Sequence, residues 1–238
     1  MRVSLFIPCF VDQLYPHIGI RLVELLESLG HSVDYPTGQT CCGQPAFNAG
    51  YHDEARSVAA KVVDVFRDAE VVVTPSGSCA AMVKVFFKEL FEGTARASAA
   101  AALAERTWEA ASFLVDNLGV TDVGARFPHR VTYHDGCHGL RELGIRSAPR
   151  VLLSHVRDLE LVEMSERDTC CGFGGTFSVK FPQISTSMAE IKCGSIEETG
   201  ANIVVSGDPS CMMQLQGHFD RQGRPIRCMH LLEVLAQR

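Results

Sequence analysis

The chain has 238 residues, of which 46% are apolar and 21% charged, with a formal charge of −6. That length and composition suit one large or two compact globular domains. No lysine or arginine run supports binding to nucleic acid or an anionic membrane, and no apolar stretch approaches the length of a membrane span.

Met1-Arg2-Val3-Ser4-Leu5-Phe6-Ile7-Pro8-Cys9 carries one positive charge, a short apolar run and no small-residue cleavage site. It reads as a first strand over Val3–Ile7 rather than a signal peptide, so a cytoplasmic location is expected. Ile18, Leu22, Leu25, Leu26 and Leu29 then share one helical face, and Gly30 stops that helix. A short strand follows near Ser32–Tyr35. Residues 51–68 carry Ala55, Val58, Ala59, Val62 and Phe66 at helical spacing, and Glu70–Thr74 reads as a buried strand. The alanine-rich stretch Ala95–Leu118, closed by Gly119, predicts one long helix linking two halves.

The second half begins again with a strand at Arg130–His134. Helix 147–156, strand 159–163, helix 183–199 and strand Asn202–Ser206 follow. Strands alternating with helices imply parallel sheets covered on both faces. The expectation is an α/β protein of two similar parallel-sheet subdomains related by a pseudo-two-fold duplication, one over residues 1–119 and one over 120–238.

The cysteines carry the duplication. Cys9 is followed after 31 residues by Cys41-Cys42-Gly43, and after 36 more by Cys79. Cys137 is followed after 32 residues by Cys170-Cys171-Gly172, and after 39 more by Cys211. The flanking text repeats too: Thr40 and Thr169 each precede a Cys-Cys-Gly, and Val71–Cys79 resembles Ile203–Cys211. A repeat of this length, present twice, means two similar subdomains.

Each single cysteine follows a predicted strand, and each Cys-Cys-Gly lies in a loop ahead of a helix. Open α/β sheets bind ligands beyond the carboxyl ends of their strands. Four cysteines per half are therefore expected at one sheet edge, with the two edges facing across a cleft. Ten cysteines in a reducing compartment point to metal or redox chemistry rather than disulfides. Four thiolates suit zinc or an iron–sulfur cluster. Adjacent cysteines depart from the Cys-x-x-Cys zinc knuckle and suit a centre of several metal atoms.

Cys193 and Cys228 have no partner in the repeat. They read as core residues, one in a helix and one in a short strand. His134 and His138 flank Cys137 and are candidates to move protons or to tune a centre through its sulfur; their alternative is a structural role at a strand end and loop. Arg141 and Arg146 are weaker candidates to hold a carboxylate. No hydrolase signature is present.

The lone Cys, the Cys-Cys-Gly and the further Cys, twice over, resemble the cysteine-rich (CCG) domain found in the catalytic subunit of heterodisulfide reductase and in the glycolate oxidase iron–sulfur subunit. Thr40-Cys41-Cys42-Gly43-Gln44-Pro45-Ala46, Tyr133–Leu143 and Thr169–Phe177 are similar to the lactate-utilisation protein A family. The resemblance implies an iron–sulfur electron-transfer subunit of a complex oxidising L-lactate to pyruvate. It also implies two further lactate-utilisation subunits as partners, one of them iron–sulfur, and leaves the electron acceptor open. The metal ligands it implies are Cys9, Cys41, Cys42, Cys79, Cys137, Cys170, Cys171 and Cys211. The heterodisulfide reductase motif has five cysteines, whereas Ser76 and Asp208 stand where this chain would have the fifth. One or two clusters of the 4Fe–4S type are expected, with or without Ser76 or Asp208 as an oxygen ligand, or zinc in one half. A thiol–disulfide reductase and a zinc-binding assembly protein are the alternative functions.

Overall fold

The computed structural model describes residues 1–238. β1 (Arg2–Leu5), β2 (Ser32–Asp34), the β-branched run β3 (Val71–Thr74) and β4 (Thr107–Glu109) make the first sheet, in the order β2-β1-β3-β4. β5 (Arg130–His134), β6 (Glu160–Leu161), β7 (Ile203–Ser206) and β8 (Arg227–His230) make the second, in the order β6-β5-β7-β8. Every pairing is parallel, and the register repeats: Val3 lies opposite Val71, and Val131 opposite Ile203. The protein is α/β, with two four-stranded parallel sheets of equivalent topology.

Alternation along the strands divides the interior. Val3, Leu5, Val71 and Val73 point into a shared core with Val131, Tyr133, Val205 and Met229 of the other sheet. Helices Pro16–Ser28, Ser147–Ser154 and Leu231–Leu235 fill the same space. The opposite face of the first sheet, with Phe6 and Val72, meets helices His52–Val65 and Ala97–Arg106 in a second core. The opposite face of the second sheet, with Val204, meets helices Pro182–Glu198 and Pro209–Arg221 in a third. Cys193 is buried in its helix and Cys228 lies in β8, as their flanking patterns indicated.

The long helix expected over Ala95–Leu118 is not continuous. Ala97–Arg106 is helical, but Thr107–Glu109 is extended and forms the fourth strand of the first sheet, pairing Val72 with Thr107. Helical backbone resumes at Ala110–Ser112 and passes into a π-helical turn at Phe113–Asn117. Two features drive the break. The β-branched Thr107 and aromatic Trp108 favour the sheet edge. Lys84 then donates its Nζ to the carbonyls of Ala104 and Thr107, at 3.1 and 2.8 Å, satisfying acceptors that the helix end leaves open. Glu109 restarts the chain by accepting the backbone N–H groups of Ala111 (2.9 Å) and Ser112 (3.1 Å).

Candidate metal centre

In the first half, Cys9 opens helix Cys9–Leu14 beyond β1, and Cys79 lies in helix Gly77–Ala81 beyond β3. Cys41 and Cys42 come between them from the loop after β2. The Sγ atoms of Cys42 and Cys79 are 3.5 Å apart, and the Gly43 N–H donates to Cys41 Sγ at 3.4 Å. In the second half a different sulfur pair is close, Cys170 and Cys137 at 3.8 Å, while the glycine bond is repeated, the Gly172 N–H donating to Cys170 Sγ at 3.4 Å. Thiol hydrogens from Cys42 and Cys9 pull the pKa of Cys41 down to about 3. Those from Cys137 and Cys171 lower that of Cys170. The donors are pushed upward in turn, with burial adding to the effect. In each half the thiols therefore lie close enough to share hydrogens, and a bound metal would take the place of those hydrogens.

The glycine of each Cys-Cys-Gly has a geometric cause. Gly43 has φ +87° and Gly172 φ +86°, the left-handed region that side chains disfavour. A Cβ on Gly43 would stand 2.9 Å from the carbonyl oxygen of Ala55, and one on Gly172 would stand 2.6 Å from that of Ser185. The glycines let each cysteine pair close against the following helix. Gly43→Ala is expected to cost at least about 1–3 kcal/mol from backbone strain alone. Thermal melting of the purified variant reads that loss.

Both cysteine sets open into one cleft between the halves, and all eight repeated cysteines line it. Phe10, next to Cys9, and Phe173, two residues after Cys171, meet edge-to-face across it with centroids 5.5 Å apart. Ser76 and Asp208 also line it, and both cap the helices that carry Cys79 and Cys211. Ser76 Oγ accepts the Cys79 N–H at 3.4 Å. Asp208 accepts the Ser210 N–H and hydroxyl through Oδ1 (3.1 and 2.6 Å), and through Oδ2 the N–H of Ser78 from the other half (2.8 Å). Their oxygens are therefore engaged with backbone at the point where the halves meet.

The two sites differ in what surrounds them. Counting from Cys9 and Cys137, Phe6 occupies the place of His134 and Ile7 that of Asp135. The matched contacts of Gly43 with Ala55 and Gly172 with Ser185 place Val62 opposite Lys192. Apolar residues in the first half are thus a histidine, an aspartate and a lysine in the second, all buried. Burial, and secondarily the Lys192 charge, pulls the pKa of His134 down to about 3 and keeps the ring neutral. Lys192 donates to the carbonyls of Glu166 and Arg167 while desolvation lowers its own pKa. Asp135 is held by Arg150 through paired bonds of 2.9 and 2.7 Å. His138 also faces the cleft, its ring 5.9 Å from that of Phe86 in the other half. Arg141 and Arg146 instead turn to Asp168, bonding its carbonyl (3.1 Å) and carboxylate (2.9 Å).

Lys192 and Glu109 escaped the reading of the sequence. Lys192 carried a usable signal, for it falls on the helical face of Ala189, Cys193 and Ile196, where a charged residue is out of place. Glu109 was hidden inside an alanine-rich run.

The donor chemistry fits an iron–sulfur group or zinc. Four thiols converge per half, backbone N–H groups already point at sulfur, and the cleft gives room. A protein of this shape, with a cysteine set at the strand ends of each of two facing α/β halves, is of the cysteine-rich domain class. The family profile described as "Cysteine-rich domain" matches residues 3–84 and 131–216. The chain is 49% identical to a lactate utilization protein A of Geobacillus kaustophilus (strain HTA426), covering 100% of both chains. It is 45% identical to one of Bacillus subtilis (strain 168), again over 100% of both. The chain belongs to the lactate utilization protein A family. Among solved structures, a hypothetical protein from Helicobacter pylori superposes with a TM-score of 0.69 at 8% identity, covering 98% of this chain and 48% of that one, which reflects a shared fold. No helix is long and apolar enough to cross a membrane.

Proposed function

We propose that this protein is an iron–sulfur electron-transfer subunit of a system that oxidises L-lactate to pyruvate. The observation that carries the reading is the pair of four-cysteine sets lining one cleft. Full-length identity to proteins named for lactate utilization supplies the substrate. Cys9, Cys41, Cys42 and Cys79 would hold one group, and Cys137, Cys170, Cys171 and Cys211 the other. When bound, iron–sulfur clusters supply one-electron redox chemistry between a partner's active site and a carrier. The chain's own residues do the rest. Gly43 and Gly172 N–H groups stabilise thiolate charge. Phe10 and Phe173 narrow the cleft against water. Two further subunits of the lactate system are the expected partners, and the site of action is the cytoplasm.

The Sγ separations of 3.5 and 3.8 Å favour a second reading for one half. Four thiolates bonded to a single zinc at about 2.3 Å stand about 3.8 Å apart.

The test is to purify the protein without oxygen and measure iron, acid-labile sulfide and zinc with the visible spectrum. Several irons with matching sulfide per chain are expected. Cys41→Ser and Cys170→Ser should each remove the metal of one half and leave the other. Zinc without sulfide after reconstitution, or unchanged iron in both variants, would sink the proposal.

A further inference from the structure

His134 stands at the end of β5 with both ring nitrogens buried and without a hydrogen-bond partner. Buried polar atoms are nearly always paired, so two orphans on one ring call for a missing partner. A ring nitrogen of His134 and the sulfurs of Cys171 and Cys211 all lie within 4.8 Å of one another, and all three residues are buried. Imidazole is a common nitrogen donor to metals. The equivalent place in the first half holds Phe6, which has no donor atom and packs edge-on to Phe66 at 5.7 Å. Lys192 does not compete for the ring, because its ammonium is turned to the Glu166 and Arg167 carbonyls.

We propose that His134 is a direct nitrogen ligand of the second-half metal centre. That half then offers four thiolates and an imidazole, and the first half four thiolates alone. The inference rests on reading the cysteine sets as metal centres, but not on which metal they hold. Its chemical consequence is an asymmetry. A fifth, neutral donor adds no charge to a four-thiolate centre, but it gives the second half a mixed nitrogen–sulfur shell where the first has sulfur alone.

The experiment uses the full chain carrying Cys41→Ser and Cys42→Ser, so that the second-half centre is seen alone. It is reconstituted anaerobically with iron and sulfide, or with zinc if iron does not stay. X-ray absorption at the edge of the bound metal reads nitrogen beside sulfur. Where the centre is paramagnetic, electron–nuclear double resonance reads the coupling of a bonded 15N-histidine. A nitrogen ligand is expected, and it should vanish in His134→Phe, which copies Phe6. His134→Cys should retain metal while losing the nitrogen signal, which separates ligation from a folding defect. An all-sulfur shell in the parent, a nitrogen signal unchanged in His134→Phe and His134→Cys, or no metal in the second half overturns the proposal. Absent sulfide defeats the cluster reading alone, and His134 is then judged at the zinc edge.

Discussion

Arg150→Met is expected to destabilise the protein by about 3–5 kcal/mol, the usual result of removing one member of a buried ion pair. Asp135 has a side chain only 1% exposed, and Arg150 bonds both of its carboxylate oxygens. Arg150 also bonds Glu163 at 2.6 and 3.0 Å, donates to the Arg146 carbonyl at 2.8 Å, and lies over the Tyr133 ring at 5.3 Å. Methionine keeps much of the packing volume but leaves the Asp135 carboxylate enclosed and uncompensated. For a domain of this size the loss corresponds to a fall in melting temperature of roughly 6–20 °C. Asp135→Asn combined with Arg150→Met should recover part of it, because the stranded charge is gone. A single-variant loss below about 1 kcal/mol in urea unfolding would show that the pair does not act as a buried unit. Asp135 lies two residues before Cys137, so the variant should also loosen the second cysteine set before the first.

Glu109→Gln should alter how stability depends on pH. Burial, opposed by the Ala111 and Ser112 N–H groups, raises the Glu109 carboxyl from 4.5 to about 7. Between those values the folded protein binds a proton that the unfolded chain has released. Stability therefore falls as pH rises through this window, and the full loss is present above about 7. A shift of this size corresponds to up to about 3 kcal/mol. Glutamine cannot ionise, and its amide oxygen can still accept at the helix start. The variant should match the parent near pH 4.5 and exceed it in stability at about pH 8. Subtracting the two pH profiles removes the contribution of the cysteines, and a flat difference would refute the assignment.

Much of this architecture is legible in the sequence because the duplication marks it twice. The strand ends that carry Cys9, Cys79, Cys137 and Cys211 follow from β-branched runs, and the positions of Cys41-Cys42 and Cys170-Cys171 from the glycines after them. β4 was not legible. Thr107-Trp108-Glu109 is too short a signal against the alanines on both sides, and only pairing with β3 and the Lys84 contacts resolve the competition. The polar setting of the second site was only half legible. His134 could be noticed beside Cys137, whereas Lys192 and Arg150 reach it from distant helices. Ser76 and Asp208 were read through the cysteines that they stand beside. Their capping bonds, and the bond from Ser78 to Asp208 across the halves, arise from the meeting of two loops 130 residues apart in sequence.

The three cores divide labour in a way that bears on assembly. The large shared core joins both halves and contains none of the eight repeated cysteines, whereas Cys42 and Cys79 belong to the second core and Cys171 and Cys211 to the third. Neither half can leave the other without exposing the shared layer to water, so the chain's centre behaves as a single cooperative block. The outer layers are separate and smaller, and each can open locally at a lower cost than global unfolding. Either cysteine set can thus open or rearrange while the central block stays closed.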